Sequence, residues 1–117
     1  MEEEIYKIEH KDAFAVMTLM LDMILVDENE KLKKAYADLI AGGTKCIILD
    51  MANTTYISSL VIASLVYMQK MARDAGGNMV ICGVNKKVRE IFEVTNLDKV
   101  FDITGNLEEA CAKLHST

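Results

Sequence analysis

Two short apolar runs, Cys46 to Met51 and Met79 to Cys82, dominate the pattern of this chain. The segment before each is helix-patterned and closes on a glycine pair, Gly42-Gly43 and Gly76-Gly77. This alternation constrains the fold more than any other feature. An apolar run of strand length, without polar alternation, belongs to a strand covered on both faces. Strands separated by helices run parallel, because only a crossover of about a dozen residues or more can return the chain to the same edge.

The remaining elements follow the same logic. Ile5 to Ile8 and Phe14 to Met20 are β-rich runs joined by His10-Lys11-Asp12, which reads as a hairpin. The second of these is apolar at nearly every position, so it too is expected to be covered on both faces. Asp27 to Ala41 reads as an amphipathic helix, with Leu32, Ala35, Tyr36, Leu39 and Ile40 inward and Lys31, Lys33, Lys34 and Asp38 outward. Asp27 and Glu30 have capping-box spacing, and Gly42-Gly43 ends the helix. A second helix is expected from Leu60 to about Ala75. Asn85 can cap a third, with Val88, Ile91 and Phe92 inward and Asn96 at its end. Val100 to Ile103 reads as a short strand. Asn106 can cap a last helix, with Glu109 at the box position and a stripe of Leu107, Ala110, Cys111 and Leu114. The expected fold class is α/β: a mixed, mostly parallel sheet of four to five strands with about four packed helices and right-handed crossovers. No linker, low-complexity tract or clear internal repeat divides residues 1–117, which read as one domain.

Composition removes several functions. Thirteen Lys and Arg against 18 Asp and Glu leave a net charge of −5, the wrong sign for docking on phosphate backbones or an anionic membrane. A hydrophobic content of 51% is incompatible with wholesale disorder. The richest run, Leu60 to Met68, is too short to span a bilayer. The acidic start Met1-Glu2-Glu3-Glu4 lacks the basic region of a secretory signal, so a cytoplasmic location is expected. Cys46, Cys82 and Cys111 form no CxxC pair and read as reduced core thiols. Metal ligands do not occur at sensible spacing, and no cofactor is expected: the glycine pairs are helix stops, not part of a nucleotide-binding loop.

Thr54 to Met68 holds the informative residues. Ser58 and Ser59 stand where an apolar strand and loop give way to a helix. A serine there can cap the orphan N–H groups. The same place stabilises an added negative charge, so a phosphate of about −1.5 to −2 charge would be held without unfolding the domain. Either role fits the residues alone. The helix that follows shows almost no polar face in its first turns: Leu60, Val61, Ile62, Ala63, Leu65, Val66 and Met68. Its start is either buried on all sides or exposes an apolar patch to a partner.

Cys46-Ile47-Ile48-Leu49-Asp50, the Thr54-Thr55-Tyr56-Ile57-Ser58-Ser59 turn, the helix to Gly76-Gly77 and Met79-Val80-Ile81-Cys82 together resemble the STAS domain. This family covers bacterial anti-sigma factor antagonists and the cytoplasmic domains of sulfate transporters. The resemblance runs on through Val88-Arg89-Glu90-Ile91-Phe92 and Thr95-Asn96-Leu97-Asp98-Lys99-Val100-Phe101, where the family usually reads Thr-Gly-Leu-Asp-Lys-Leu-Phe, to Leu107-Glu108-Glu109-Ala110. It is ungapped from about Cys46 to Leu114, and the N-terminal part matches in outline.

The resemblance implies a free-standing anti-sigma factor antagonist. Its partner would be an anti-sigma factor that is also a serine kinase of the GHKL ATPase type. Phosphorylation would end capture, and a PP2C-type phosphatase would reverse it. The family pattern is Asp-Ser, a small residue, Gly-Leu, then Gly or Ala. Counted back from Gly76-Gly77, it places the phosphoacceptor at Ser59, with Ser58 at the family aspartate, Leu60 at the small residue and Val61 at the glycine. Ser58 as acceptor would break the spacing on both sides. The resemblance thus implies a docking surface of Asp22, Tyr56, Ser58, Ser59, Leu60, Val61 and Ile62. Asp22 is the acidic candidate in Leu19-Met20-Leu21-Asp22-Met23, where the family tends to place Gly-Glu/Asp-Leu/Ile-Asp. The lost aspartate and glycine point to altered kinase recognition or to a different partner.

Other classes fit less well. A nucleophile elbow needs G-x-S-x-G, and Ser59 is flanked by Ile57, Ser58, Leu60 and Val61. His10 and His115 stand near the chain ends, and His115, near the end of the last helix, reads as a dipole-compatible surface group rather than a base. Asp50 could be an aspartyl phosphoacceptor, but that chemistry needs Mg²⁺ and further carboxylates, so a loop-capping role is expected. The alternative that stays open is a STAS scaffold that binds a partner without switching, as in stressosome-type or lipid-transport assemblies.

Overall fold

A computed structural model describes residues 5–115; the acidic Met1-Glu2-Glu3-Glu4 start and the side chain of His115 lie outside the described residues. The chain runs β1 (Tyr6–His10), β2 (Ala15–Leu19), α1 (Val26–Ala41), β3 (Cys46–Asp50), α2 (Ser59–Asp74), β4 (Asn78–Cys82), α3 (Lys86–Val94), a 3-10 turn (Leu97–Lys99), β5 (Asp102–Thr104) and α4 (Leu107–His115). The five strands form one sheet in the order β1-β2-β3-β4-β5. β1 pairs antiparallel with β2, and every later pair is parallel. The expected mixed, mostly parallel α/β architecture is therefore the observed one.

A monotonic strand order with crossovers of one hand puts every crossover helix on the same face. Leu32 and Tyr36 of α1, Leu65 and Met68 of α2, and Val88 and Phe92 of α3 accordingly share one core with Ala15, Met17, Ile47, Leu49, Met79 and Ile81. The alternate residues Val16, Ile48, Val80 and Cys82 face the other way. They are covered by α4, which follows the last strand and is free to cross to the second face; Ala110, Leu107, Cys111 and Leu114 make that contact. This is why β2, β3 and β4 lack polar alternation.

The element boundaries differ locally from the sequence reading. The Asp27/Glu30 box does not form. Leu25 is the N-cap of α1, and its N–H donates to the Glu28 carboxylate at 3.0 Å, while Glu30 pairs with Lys33. The chain is pinned by the Met23–Tyr56 bridge, which fixes where α1 can begin. The expected strand from Val100 shifts to Asp102–Thr104, because Asn96, at φ 61°, turns the chain into the 3-10 segment first. The Asn85 and Asn106 caps form as expected, accepting from Val88 N at 2.7 Å and Glu109 N at 2.8 Å.

Two buried polar groups have no hydrogen-bond partner among the described residues, the Asn29 amide nitrogen and the Tyr36 hydroxyl. Tyr36 is fully buried, and burial pushes its ionisation far up. A buried hydroxyl without a partner costs about 1–3 kcal/mol. Tyr36→Phe is therefore expected to leave stability unchanged or raise it by about 1 kcal/mol. The midpoint of urea unfolding reads this directly, and a fall in the midpoint would show that the hydroxyl is satisfied.

Candidate functional site

The carboxyl ends of β2, β3 and β4 lie side by side, and the loops leaving them meet. Open α/β sheets place their functional groups at this edge. The longest loop, between β3 and α2, is fixed by side-chain bonds to its neighbours. Thr54, buried, donates its hydroxyl to the Leu21 carbonyl at 2.7 Å, and Asn53 donates to the Leu19 carbonyl at 3.3 Å. Thr55 donates its hydroxyl to the Asp22 carboxylate and its N–H to the Asp22 carbonyl. Asn85, besides capping α3, donates to the Thr55 carbonyl at 3.1 Å. Asp50 accepts from Ala52 N at 3.0 Å, which is the expected loop-capping role. Gly83 crosses directly above it at φ +76°, where a Cβ would sit 2.9 Å from the Asp50 carboxylate.

These bonds deliver the chain to α2 in one orientation. Ser58 is the N-cap, and its hydroxyl accepts from Val61 N at 3.4 Å. Ser59 is the first helical residue. It is exposed, and its hydroxyl bonds to no other described residue. The two serines, equivalent in sequence, are thus separated by geometry. Ser58 satisfies an orphan helix N–H, and Ser59 presents a free hydroxyl where the helix dipole favours negative charge.

The apolar start of α2 divides between core and surface. Leu60 is 42% exposed, and Val66 and Tyr67 further along are exposed as well. Val61, expected on the docking surface, is instead buried at 2%. It packs in the core around Leu19, Ile24, Leu49 and Leu65. Ile62 is half-buried and packs against the same core. The reason is helical phase. Val61, Leu65, Met68 and Ala72 repeat at helical spacing toward the sheet, and the residue before Val61 must then face away. Tyr56 is 48% exposed beside Met23, its partner in an isolated parallel bridge and itself 49% exposed. Leu25 and Val26 at the start of α1 are also exposed.

Asp22, Tyr56, Ser58, Ser59 and Leu60 are therefore brought to one loop-to-helix junction, while Val61 is not part of its surface. Sequence reasoning missed the loop-fixing roles of Asn53 and Thr54, the bond from Asn85 to the Thr55 carbonyl, and the exposure of Met23, Leu25 and Val26. Isolated polar residues in a loop carry no periodic signal that would have marked them. Among the described residues no group of three or more His, Cys, Asp or Glu could hold a metal ion. No described helix is long and apolar enough to cross a membrane. Burial pushes the Cys82 thiol up to about 12, with Asp50 and Cys111 adding to the shift, so this thiol stays protonated at neutral pH.

A five-stranded mixed sheet with three helices on one face, one on the other, and a serine-capped helix at its carboxyl edge defines a distinct class of small α/β domain. The chain belongs to the STAS domain family, whose family model matches residues 6–110. BtrV of Bordetella bronchiseptica, named as a candidate anti-sigma factor antagonist, is 29% identical over 83 residues, covering 71% of this chain and 72% of that relative. The crystal structure of a Thermotoga maritima protein described in the same way superposes with a TM-score of 0.82 at 24% identity, covering 94% of each chain. The anti-sigma factor antagonist SpoIIAA in its unphosphorylated form superposes with a TM-score of 0.81 at 14% identity, over 96% of this chain and 97% of the other. Its phosphorylated form, from Bacillus, gives 0.74 at 14% identity, over 93% and 98%.

Proposed function

We propose that this protein is an anti-sigma factor antagonist whose capture of an anti-sigma factor is controlled by phosphorylation of Ser59. In this reading it acts in the cytoplasm as a binding protein, not an enzyme, and regulates transcription indirectly. The partner is an anti-sigma factor that is also a GHKL-type serine kinase, and a PP2C-type phosphatase removes the phosphate.

The observation that carries the reading is the division of labour between the two serines. Ser58 is engaged as the N-cap, whereas Ser59 offers an exposed, unbonded hydroxyl at the first helical position. Ser59 is next in the chain to the exposed Leu60 and three residues after the exposed Tyr56. A phosphate there is held by the helix N-terminus, so the domain stays folded. Its charge and hydration oppose burial of the neighbouring apolar groups under a partner. Docking and phosphorylation therefore exclude each other by electrostatics and desolvation, with no change of fold. The relatives named as anti-sigma factor antagonists, one of them known in a phosphorylated form, support the same reading.

Phosphopeptide mapping of the protein taken from its own cells tests it. Phosphate is expected on Ser59 under some growth conditions and is expected to vanish in Ser59→Ala, with partner binding retained. Phosphate on Ser58 would overturn the assignment.

A second reading rests on Ser58 and Val61 standing where the family has aspartate and glycine. Such a domain would be a non-switching scaffold. In that case wild type and Ser59→Ala hold the same partner and neither carries phosphate.

A further inference from the structure

β1 ends the strand order, so one of its sides has no neighbouring strand among the described residues. An open edge invites another strand, and natural proteins usually blunt it. The direction of each main-chain group on β1 follows from two bonds. Lys11 N–H donates to the Phe14 carbonyl at 2.8 Å, and Met20 N–H donates to the Ile5 carbonyl at 2.9 Å. With Glu9 opposite Val16 and Lys7 opposite Thr18, the odd-numbered residues from Ile5 to Lys11 direct their N–H and C=O groups at β2. Tyr6, Ile8 and His10 direct theirs outward.

The side chains along this edge are complementary to themselves. Lys7 and Glu9 are both exposed, one on each side of Ile8. If a second copy pairs antiparallel about a two-fold axis at Ile8, the outward groups of Ile8 meet those of its copy, and those of Tyr6 meet His10. Lys7 then falls opposite Glu9 in a pair that is not hydrogen-bonded, where cross-strand side chains approach most closely. Neighbouring registers are penalised. An axis at Lys7 sets Lys7 against its copy. An axis at Glu9 sets Glu9 against its copy and Lys7 against Lys11. Odd shifts place outward groups against inward ones. Glu9 also bonds Lys11 of its own chain at 3.0 Å, which leaves it between two cations in the pair.

We propose that the β1 edge is a homodimer interface, two copies joining antiparallel about Ile8 with Lys7 of each facing Glu9 of the other. The pairing uses no residue of the loop-to-helix junction, so it stands apart from the function proposed above.

A charge-swap experiment tests it. Sedimentation velocity over a concentration series is run on wild type, Lys7→Glu, Glu9→Lys and an equimolar mixture of the two variants. Wild type is expected to dimerise. Each variant alone sets like charges opposite one another and is expected to weaken self-association about tenfold. In the mixture, glutamates at both positions of one chain face lysines at both positions of the other, and association is expected to return. Amide exchange at Tyr6, Ile8 and His10 should slow as wild type concentration rises. Both changes are exposed, so circular dichroism should be that of wild type. A wild type that stays monomeric to about 1 mM, or variants that dimerise as well as wild type, or a mixture that fails to recover, would overturn the proposal.

Discussion

Gly77→Ala is expected to destabilise the protein by about 3 kcal/mol or more, the upper end for forcing atoms into a packed site. Gly77 lies between the end of α2 and the start of β4. A Cβ there would stand 2.1 Å from the Lys45 carbonyl oxygen and 2.4 Å from its carbon. That carbonyl is main chain and cannot swing aside. It also accepts from Asn78 N at 3.2 Å, beside the first residue pair of the β3–β4 ladder, Cys46 with Asn78. An added methyl must therefore open the central strand pair of the sheet. Gly76 provides the control. It has φ +87° and open space where its Cβ would be, so Gly76→Ala carries only the left-handed backbone cost of about 1–2 kcal/mol. Urea unfolding of the two variants separates the effects. Equal midpoints would show that the close approach at Gly77 does not exist. For a domain with roughly 5–15 kcal/mol of total stability, the Gly77 change is large enough to lower the folded yield in cells.

If the proposed function holds, Leu60→Asp is expected to weaken binding of the proposed anti-sigma factor partner about 30-fold, corresponding to about 2 kcal/mol for a central apolar contact. It should leave the fold intact. Leu60 is the second helical residue of α2, is 42% exposed, and is absent from the core. An aspartate at this position faces the positive end of the helix dipole, which favours it. The variant thus adds charge to the docking surface without phosphate, beside the residue where phosphate would act. Calorimetric titration against the anti-sigma factor, together with a thermal melt, reads both properties. Unchanged affinity would remove Leu60 from the interface and with it the apolar surface on which the proposed switch depends. Val61→Asp is the contrasting variant. It would bury a charge in the apolar core and unfold the domain rather than report on binding.

Much of the architecture is legible in the residues. The continuous apolar character of Cys46–Met51 and Met79–Cys82 requires two covered faces, and the chain can cover them only with helices. Gly76 reads correctly as a stop, because its left-handed backbone is a local property. The Asn85 and Asn106 caps are likewise local, since each acceptor reaches an N–H three residues ahead. Where local chemistry offers competing answers, contacts distant in sequence decide. Asp27 with Glu30 was as good a capping box as the Glu28 interaction that forms, and the bridge between Met23 and Tyr56, distant in sequence, decided between them. The strand expected from Val100 begins at Asp102, because the left-handed Asn96 first turns the chain into a tight helical turn.

The functional junction shows the same boundary. By itself the sequence determined that a serine pair opens an unusually apolar helix at the carboxyl edge of a parallel strand, because caps, periods and glycine stops depend on residues within one or two turns. It did not determine which serine hydroxyl is free or which of Leu60 and Val61 faces solvent. Those depend on the rotation of α2 about its own axis. That rotation is set by packing of Val61, Leu65 and Met68 with residues far away in the chain, Leu19 on β2 and Leu49 on β3. The loop's direction is set by Thr54, Thr55 and Asn85 bonding across to Leu21, Asp22 and the loop itself. Contacts between residues some thirty positions apart decide a helix's phase, and no local pattern encodes them.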